Sequence, residues 1–319
     1  MFLKWDYWWQ AHFLDCLIDA QGRAPDDQRR ADIAGLIRGI RLRNAGRWLA
    51  DYYDDIAWLG LALERAELHA EVSRRDALDQ IAKRLRGGWT EHGGGGIWWR
   101  VHDDFKNVPA NGAAAILFAR LSERGNRADL QRARSIVDWI REKLVDPETG
   151  VVYDGLHVNA DGSVREVERA VYTYCHGVFL GACTELAGID GAAVWGRLAV
   201  DVIGVISRWM TTQTRWGPVI SGQGGGDGGL FGGILARYLA QAALVLTDQN
   251  AADAAATLVY ASADAAWTNR VQGKRGPVFG ADWTRPESHR HLSVQLGAWM
   301  LLEAAALLEN ADVTAPRQR

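Results

Sequence analysis

Two adjacent carboxylates, Asp54 and Asp55, open a segment that turns apolar at once, Ile56-Ala57-Trp58-Leu59. At the start of a helix, side chains one residue apart diverge by ~100°, which leaves their carboxyl groups on the order of 5–7 Å apart. A retaining glycosidase needs about 5–5.5 Å between nucleophile and acid/base, with the sugar between them. The positive end of the helix favours one ionised carboxylate, and that charge raises the proton affinity of its neighbour, the split that the two roles require. An N-cap followed by a first-turn acid gives the same dipeptide without chemistry. Asp26-Asp27 and Asp103-Asp104 repeat it, but only the 54–55 pair opens an apolar helix beside tyrosines, Tyr52 and Tyr53.

The aromatic residues point the same way. Fifteen are Trp, against eight Tyr and seven Phe. Trp offers a wide apolar face with an N–H at its edge, which suits stacking on a sugar ring while bonding its hydroxyls; filling a core is the competing use. The informative clusters are Trp5, Trp8 and Trp9 with Tyr7, and the pair Trp98-Trp99 after a glycine run.

Such groups converge only if several elements deliver them to one place. Two kinds of helix alternate along the chain. One is apolar nearly all round, as in Ala113-Ala114-Ala115-Ile116-Leu117-Phe118-Ala119, and has no solvent face. The other is amphipathic, as where Ile33, Leu36, Ile37 and Ile40 form a stripe between arginines. The apolar kind starts near Trp9, Asp55, Pro109, Thr173, Gly228 and His289; the amphipathic kind spans roughly Arg29–Arg41, Arg74–Arg86, Asp129–Leu144, Ala192–Thr212 and Ala251–Thr268. Long loops such as Gly87–Val108 and Asp146–Val171 lead from outer to inner helices and so emerge on one side. The pattern predicts an all-α protein, an (α/α)6 toroid of alternating inner and outer helices in one domain over residues 1–319. Strand alternation is expected only at Val151–Tyr153. Because the chain opens on an inner helix, one outer helix is expected to be missing at the N-terminus. In a toroid the inner-helix starts share one funnel, which collects Trp8 to His12, Tyr52 to Asp55, Asn107 to Asn111, Tyr172 to His176, Ser221 to Gly229 and His289 to His291.

Tyr52-Tyr53-Asp54-Asp55-Ile56-Ala57-Trp58, Gly93-Gly94-Gly95-Gly96-Ile97-Trp98-Trp99 followed by Lys106-Asn107, Tyr172-Thr173-Tyr174 and Arg237-Tyr238-Leu239 occur in that order. This succession resembles glycoside hydrolase family 76, endo-acting α-1,6-mannanases and related transglycosylases on an (α/α)6 barrel. The likeness runs roughly from Trp5 to Leu302. It implies Asp54 as nucleophile, Asp55 as acid/base, α-1,6-linked mannan or mannooligosaccharides as substrate, and neither metal nor cofactor. Trp8, Trp98, Trp99 and Tyr174 are then the expected stacking platforms, with Asn111, His176 and Asp227 as hydroxyl-binding groups. Ala110-Asn111-Gly112 and Cys175-His176 depart from the family's usual residues at their positions.

Other classes fit less well. A net charge of −3, with 36 basic and 39 acidic residues and no basic run longer than a pair, gives no footprint for nucleic acid. No stretch reaches the roughly 18 unbroken apolar residues of a membrane span, and Met1 to Tyr7 lacks an export pattern. A cytoplasmic location is expected for the chain as it begins, and a secreted or cell-surface one if a leader precedes it. Cys175-His176-Gly177 resembles the zinc motif of lanthionine-synthetase cyclases, but Cys16 and Cys183 lie inside helices and supply no third ligand. Gly222–Gly229 is not followed by the Lys-Ser/Thr of a phosphate loop. Two alternatives stay open: a sugar 2-epimerase using His176, His289 and His291 as acid and base, and a carbohydrate-binding protein without turnover.

Overall fold

The structure, a computed structural model, describes residues 5–287 and 290–313, so His289 lies outside it. Eleven α-helices and seven short strands form among the described residues, grouped into two compact units. The first unit holds the residues up to Lys143 together with Gly155–Glu168; the second holds Leu144–Asp154 and the residues from Arg169 onward.

In the first unit α1 (Tyr7–Arg23), α3 (Tyr53–Ala70) and α5 (Val108–Glu123) carry the apolar sequences, and α3 packs against α1 and α5. Three helices with one apolar face accompany them: α2 (Asp27–Arg43), α4 (Arg75–Gly88) and α6 (Arg127–Leu144). Ala77, Leu78, Ile81, Ala82 and Leu85 form the buried stripe of α4, at the spacing that puts residues on one helical face. Caps set the helix starts. The Asp26 carboxylate accepts from the Arg29 N–H at 2.8 Å, and the Asn107 amide oxygen accepts from the Ala110 N–H at 3.2 Å with Pro109 in the first turn. Asp129, fully buried at the start of α6, is held by the Arg86 fork at 2.9 and 2.6 Å.

The long connection from α4 to α5 ends in β1 (Phe105–Asn107), which pairs antiparallel with β2 (Tyr153–Val158) in the register Phe105↔His157, Lys106↔Leu156, Asn107↔Gly155. β3 (Val164–Val171) lies on the other side of β2.

The second unit contains α7 (Thr173–Asp190), α8 (Ala193–Trp209), α9 (Gly228–Val245), α10 (Gln249–Asn269) and α11 (Leu292–Asn310). Hairpins follow α8 and α10: β4 (Thr211–Thr214) with β5 (Gly217–Ile220), and β6 (Val271–Gly273) with β7 (Gly276–Val278). α9 packs against both α7 and α11. Both α9 and α11 are long and apolar enough to cross a membrane by composition, yet 61% of each such stretch is buried within the protein.

The all-α class and the alternation of helix types agree with the sequence reading, and each expected helix is present. Two expectations change. α8 stops at Trp209 instead of reaching Thr212, because Thr211–Thr214 pairs as a strand. Strands are also more numerous than the single expected one at Val151–Tyr153. The β3 sequence, Val164-Arg-Glu-Val-Glu-Arg-Ala-Val171, is mostly exposed and shows no apolar alternation to betray it.

Candidate active site

Asp54 and Asp55 sit in the first turn of α3, after Tyr52 at the N-cap position, and both are half-buried. One oxygen of Asp54 accepts the Asp55 N–H at 3.0 Å, and the other accepts the Trp99 indole N–H at 3.1 Å. These donors and the helix N-terminus all favour a charged carboxylate at Asp54. Asp55 has a different neighbour. Burial, and then the Asp55 charge, push the Tyr7 phenol far above its usual range, so it stays protonated and donates to the Trp48 carbonyl. The other two Asp pairs have other work: Asp26 caps α2, Asp103 accepts the N–H groups of Asp104 and Phe105 at 2.8 and 3.2 Å, and Asp104 binds His157 and Arg165.

Trp99 reaches Asp54 because its backbone is tied on both sides. Its N–H donates to the Phe105 carbonyl at 2.8 Å, and its carbonyl accepts from the Tyr53 N–H at 2.8 Å. The indole lies 5.0 Å from the Tyr52 ring and 5.9 Å from that of Phe105. Trp98 and Trp99 are both half-exposed, and so is Trp8, edge-on to His12 at 5.5 Å. Six other tryptophans, at 9, 48, 58, 139, 195 and 283, are buried and serve packing.

Two expected sugar contacts are corrected. Asn111 is fully buried: its amide oxygen accepts from the Ile97 N–H at 2.7 Å, and its NH2 donates to the Ile97 and Asn107 carbonyls at 2.8 Å each. It fixes the loop before Trp98 and has no group left for a hydroxyl. His176 is also fully buried, with Nε2 accepting from the Val152 N–H at 3.0 Å and Nδ1 3.0 Å from the Tyr172 carbonyl. Burial lowers its pKa to about 4, so the ring stays neutral, and neither nitrogen remains for a sugar, a metal or the proton transfer of a 2-epimerase. Cys175 is buried as well; its thiol donates to Asp154 at 3.5 Å and is pushed well above its usual pKa, by burial first and then by Asp154. Among the described residues, no group of three or more His, Cys, Asp or Glu could hold a metal ion.

In the second unit Tyr174 is half-exposed and stacks on Phe231 at 4.0 Å and 4°. Asp227 is exposed at the N-cap position of α9, after a glycine-rich segment in which Gly224 and Gly226 have positive φ. His291 has its Nδ1 2.9 Å from the Ser293 hydroxyl.

Lys106, which the sequence showed only as part of a motif, is fully buried on β1. Burial pulls its ammonium down to about 7, with Glu91 acting in the opposite direction. Nothing in its residue type announces this, since lysines are almost always exposed. The nearby glycine run is the available signal, because carbonyls turned inward need a cation or donors to face.

The model of glycosyl hydrolase family 76 matches residues 1–316. No curated protein matches the chain. The solved α-1,6-mannanase of Salegentibacter sp. HEL1_6 is 33% identical, with a TM-score of 0.86 over 96% of this chain and 90% of that one. An inactive variant of that enzyme, in which two consecutive aspartates are replaced by asparagine, was solved with α-1,6-mannotriose and matches at 32% identity and a TM-score of 0.86, over 95% and 90% of the chains. The Lin0763 protein of Listeria innocua matches at 26% identity and a TM-score of 0.84, over 97% of this chain and 87% of that one. With the family model spanning nearly every residue and the all-α fold shared with these structures, the chain belongs to glycosyl hydrolase family 76.

Proposed function

We propose that this glycoside hydrolase cleaves α-1,6-linked mannan or mannooligosaccharides with retention of configuration. Asp54 attacks the anomeric carbon while Asp55 protonates the departing glycosidic oxygen. Asp55 then takes a proton from water or from an acceptor hydroxyl, which displaces Asp54 from the glycosyl intermediate. The observation that carries this reading is the setting of Asp54, next to Asp55 at the start of α3 and receiving the Asp55 N–H and the Trp99 indole N–H. The mannotriose complex of the Salegentibacter enzyme, inactive through two consecutive Asp-to-Asn changes, supports both the substrate and the pair. Trp8, Trp98 and Trp99 are the proposed stacking surfaces, with Tyr174 and Asp227 as further sugar contacts.

The test is incubation with α-1,6-mannan and mannotriose, with products followed by chromatography. The wild-type protein is expected to release shorter mannosides, and Asp54→Asn and Asp55→Asn each to lower kcat by several orders of magnitude while melting like the wild type. Near-normal turnover by either variant would sink the assignment, and binding without turnover by all three proteins would identify a carbohydrate-binding protein instead.

A further inference from the structure

We infer that Lys106 is a positioning residue for the reaction: its ammonium gathers the backbone of residues 90–96 and thereby sets the Trp99 indole against Asp54. This rests on the role proposed for Asp54. The Lys106 Nζ lies 2.6 Å from the Gly95 carbonyl, 2.7 Å from that of His92, 2.8 Å from that of Gly96, 3.0 Å from that of Thr90 and 2.9 Å from the Thr90 hydroxyl. The Trp98 ring centre is 4.4 Å away. All of these oxygens come from one short segment, and none is a carboxylate. A buried cation is tolerated only when it is so surrounded.

The glycines explain how one segment can present so many carbonyls to a point. Gly93, Gly94, Gly95 and Gly96 all have positive φ, from 66° to 130°, a conformation that residues with side chains rarely adopt. Added Cβ atoms at Gly95 and Gly96 would come within 2.8 Å of Trp89 and Trp139 respectively. The Gly93 carbonyl, which is not among the oxygens around Lys106, accepts the Trp139 indole N–H at 3.1 Å.

From this cage the chain passes directly to the site. Ile97 is clamped by Asn111, the Trp98 N–H donates to the Gly88 carbonyl at 3.4 Å, and Trp99 follows with its indole on Asp54. Lys106 itself touches neither carboxylate. Its influence on the chemistry runs through the position of Trp99.

The test combines Lys106→Met, which keeps an unbranched stem one atom shorter and removes the charge, with Trp99→Phe, which removes the indole donor. Trp99→Phe also assigns the Trp99 indole proton in the NMR spectrum, where its exchange with water is read without any substrate. Lys106→Met is expected to speed that exchange at least threefold and to lower kcat on α-1,6-mannotriose at least tenfold, with KM changed less than threefold. The double variant is expected to be no slower than the worse single one, because both changes break the same link. A folded Lys106→Met protein with wild-type indole exchange, or effects on kcat that multiply in the double variant, would overturn the inference. Should Lys106→Met fail to fold, Thr90→Val removes one oxygen of the cage and is expected to speed the exchange; wild-type exchange there would overturn the inference equally. A wild-type protein inactive on mannotriose would refute the substrate assignment and leave the exchange measurement to decide the role of Lys106.

Discussion

Each of two neighbouring aspartates reaches a group outside its own helix. Asp54 is held by two N–H donors, while the charge of Asp55 bears on a buried tyrosine, Tyr7. If Asp54 is the nucleophile, as proposed, the Trp99 indole N–H bears on the reacting carboxylate as well as offering a face to the sugar. A hydrogen bond to a charged group is worth about 1.5–3 kcal/mol, so Trp99→Phe is expected to lower kcat about ten- to a hundredfold. Steady-state kinetics on mannotriose check this, and an unchanged kcat with a raised KM would reduce Trp99 to a binding surface. Asp54 and Asp55 stood out in the sequence because two acids at the start of an apolar helix are unusual, and Trp98 and Trp99 because they follow a glycine run. The misplacement of Asn111 and His176 has an equally physical cause. A polar residue at an inner-helix start faces either the sugar or the backbone of the preceding loop, and residue type alone does not decide between them. Both chose the backbone.

At the scale of elements, the loops before the buried helices are secured by side chains of those helices. Asn111 of α5 holds Ile97, and His176 of α7 holds Val152. The second case carries a pH signature. His176 has a folded pKa lowered to about 4, so between that value and the ordinary 6.5 the unfolded chain takes up a proton that the folded chain refuses. Stability contributed by neutral His176 is complete above pH 6.5 and declines as the pH falls toward 4, by at most about 1.4 kcal/mol per pH unit. Denaturant titrations at several pH values are expected to show this slope in the wild type and a shallower one in His176→Gln; identical slopes would remove His176 as the cause. Helix contact is a second element-level feature. A Cβ at Gly233 of α9 would lie 2.4 Å from the Gly297 carbonyl of α11, so these backbones touch where no side chain intervenes. Gly233→Ala is expected to cost about 1–3 kcal/mol by overpacking, read as a lower Tm, with no change expected if the helices part freely. Helices of this kind are easily read from Ala- and Gly-rich runs. The strands are not, because β3 is mostly exposed, β4 and β6 have only four and three residues, and each pairs with its neighbour across a turn.

For the molecule as a whole, burial separates the tryptophans into groups. Six Trp fill the interior, while Trp8, Trp98 and Trp99 remain partly exposed in the unit that holds Asp54 and Asp55. The order of helices, and with it the fold class, was legible because apolar and one-faced helices must alternate when each outer helix covers inner ones. Lys106 was not, because its burial depends on a ring of carbonyls that only the folded glycine run creates. The chemistry proposed for the carboxylate pair requires two displacements at one carbon, so the anomeric configuration of the first product tests it most directly. Proton NMR of α-1,6-mannotriose or mannan during the first minutes of reaction, before mutarotation, is expected to show α-configured reducing ends formed by the wild type and absent with Asp54→Asn. Initial formation of β-configured ends would mean a single displacement by water and would contradict Asp54 as the nucleophile.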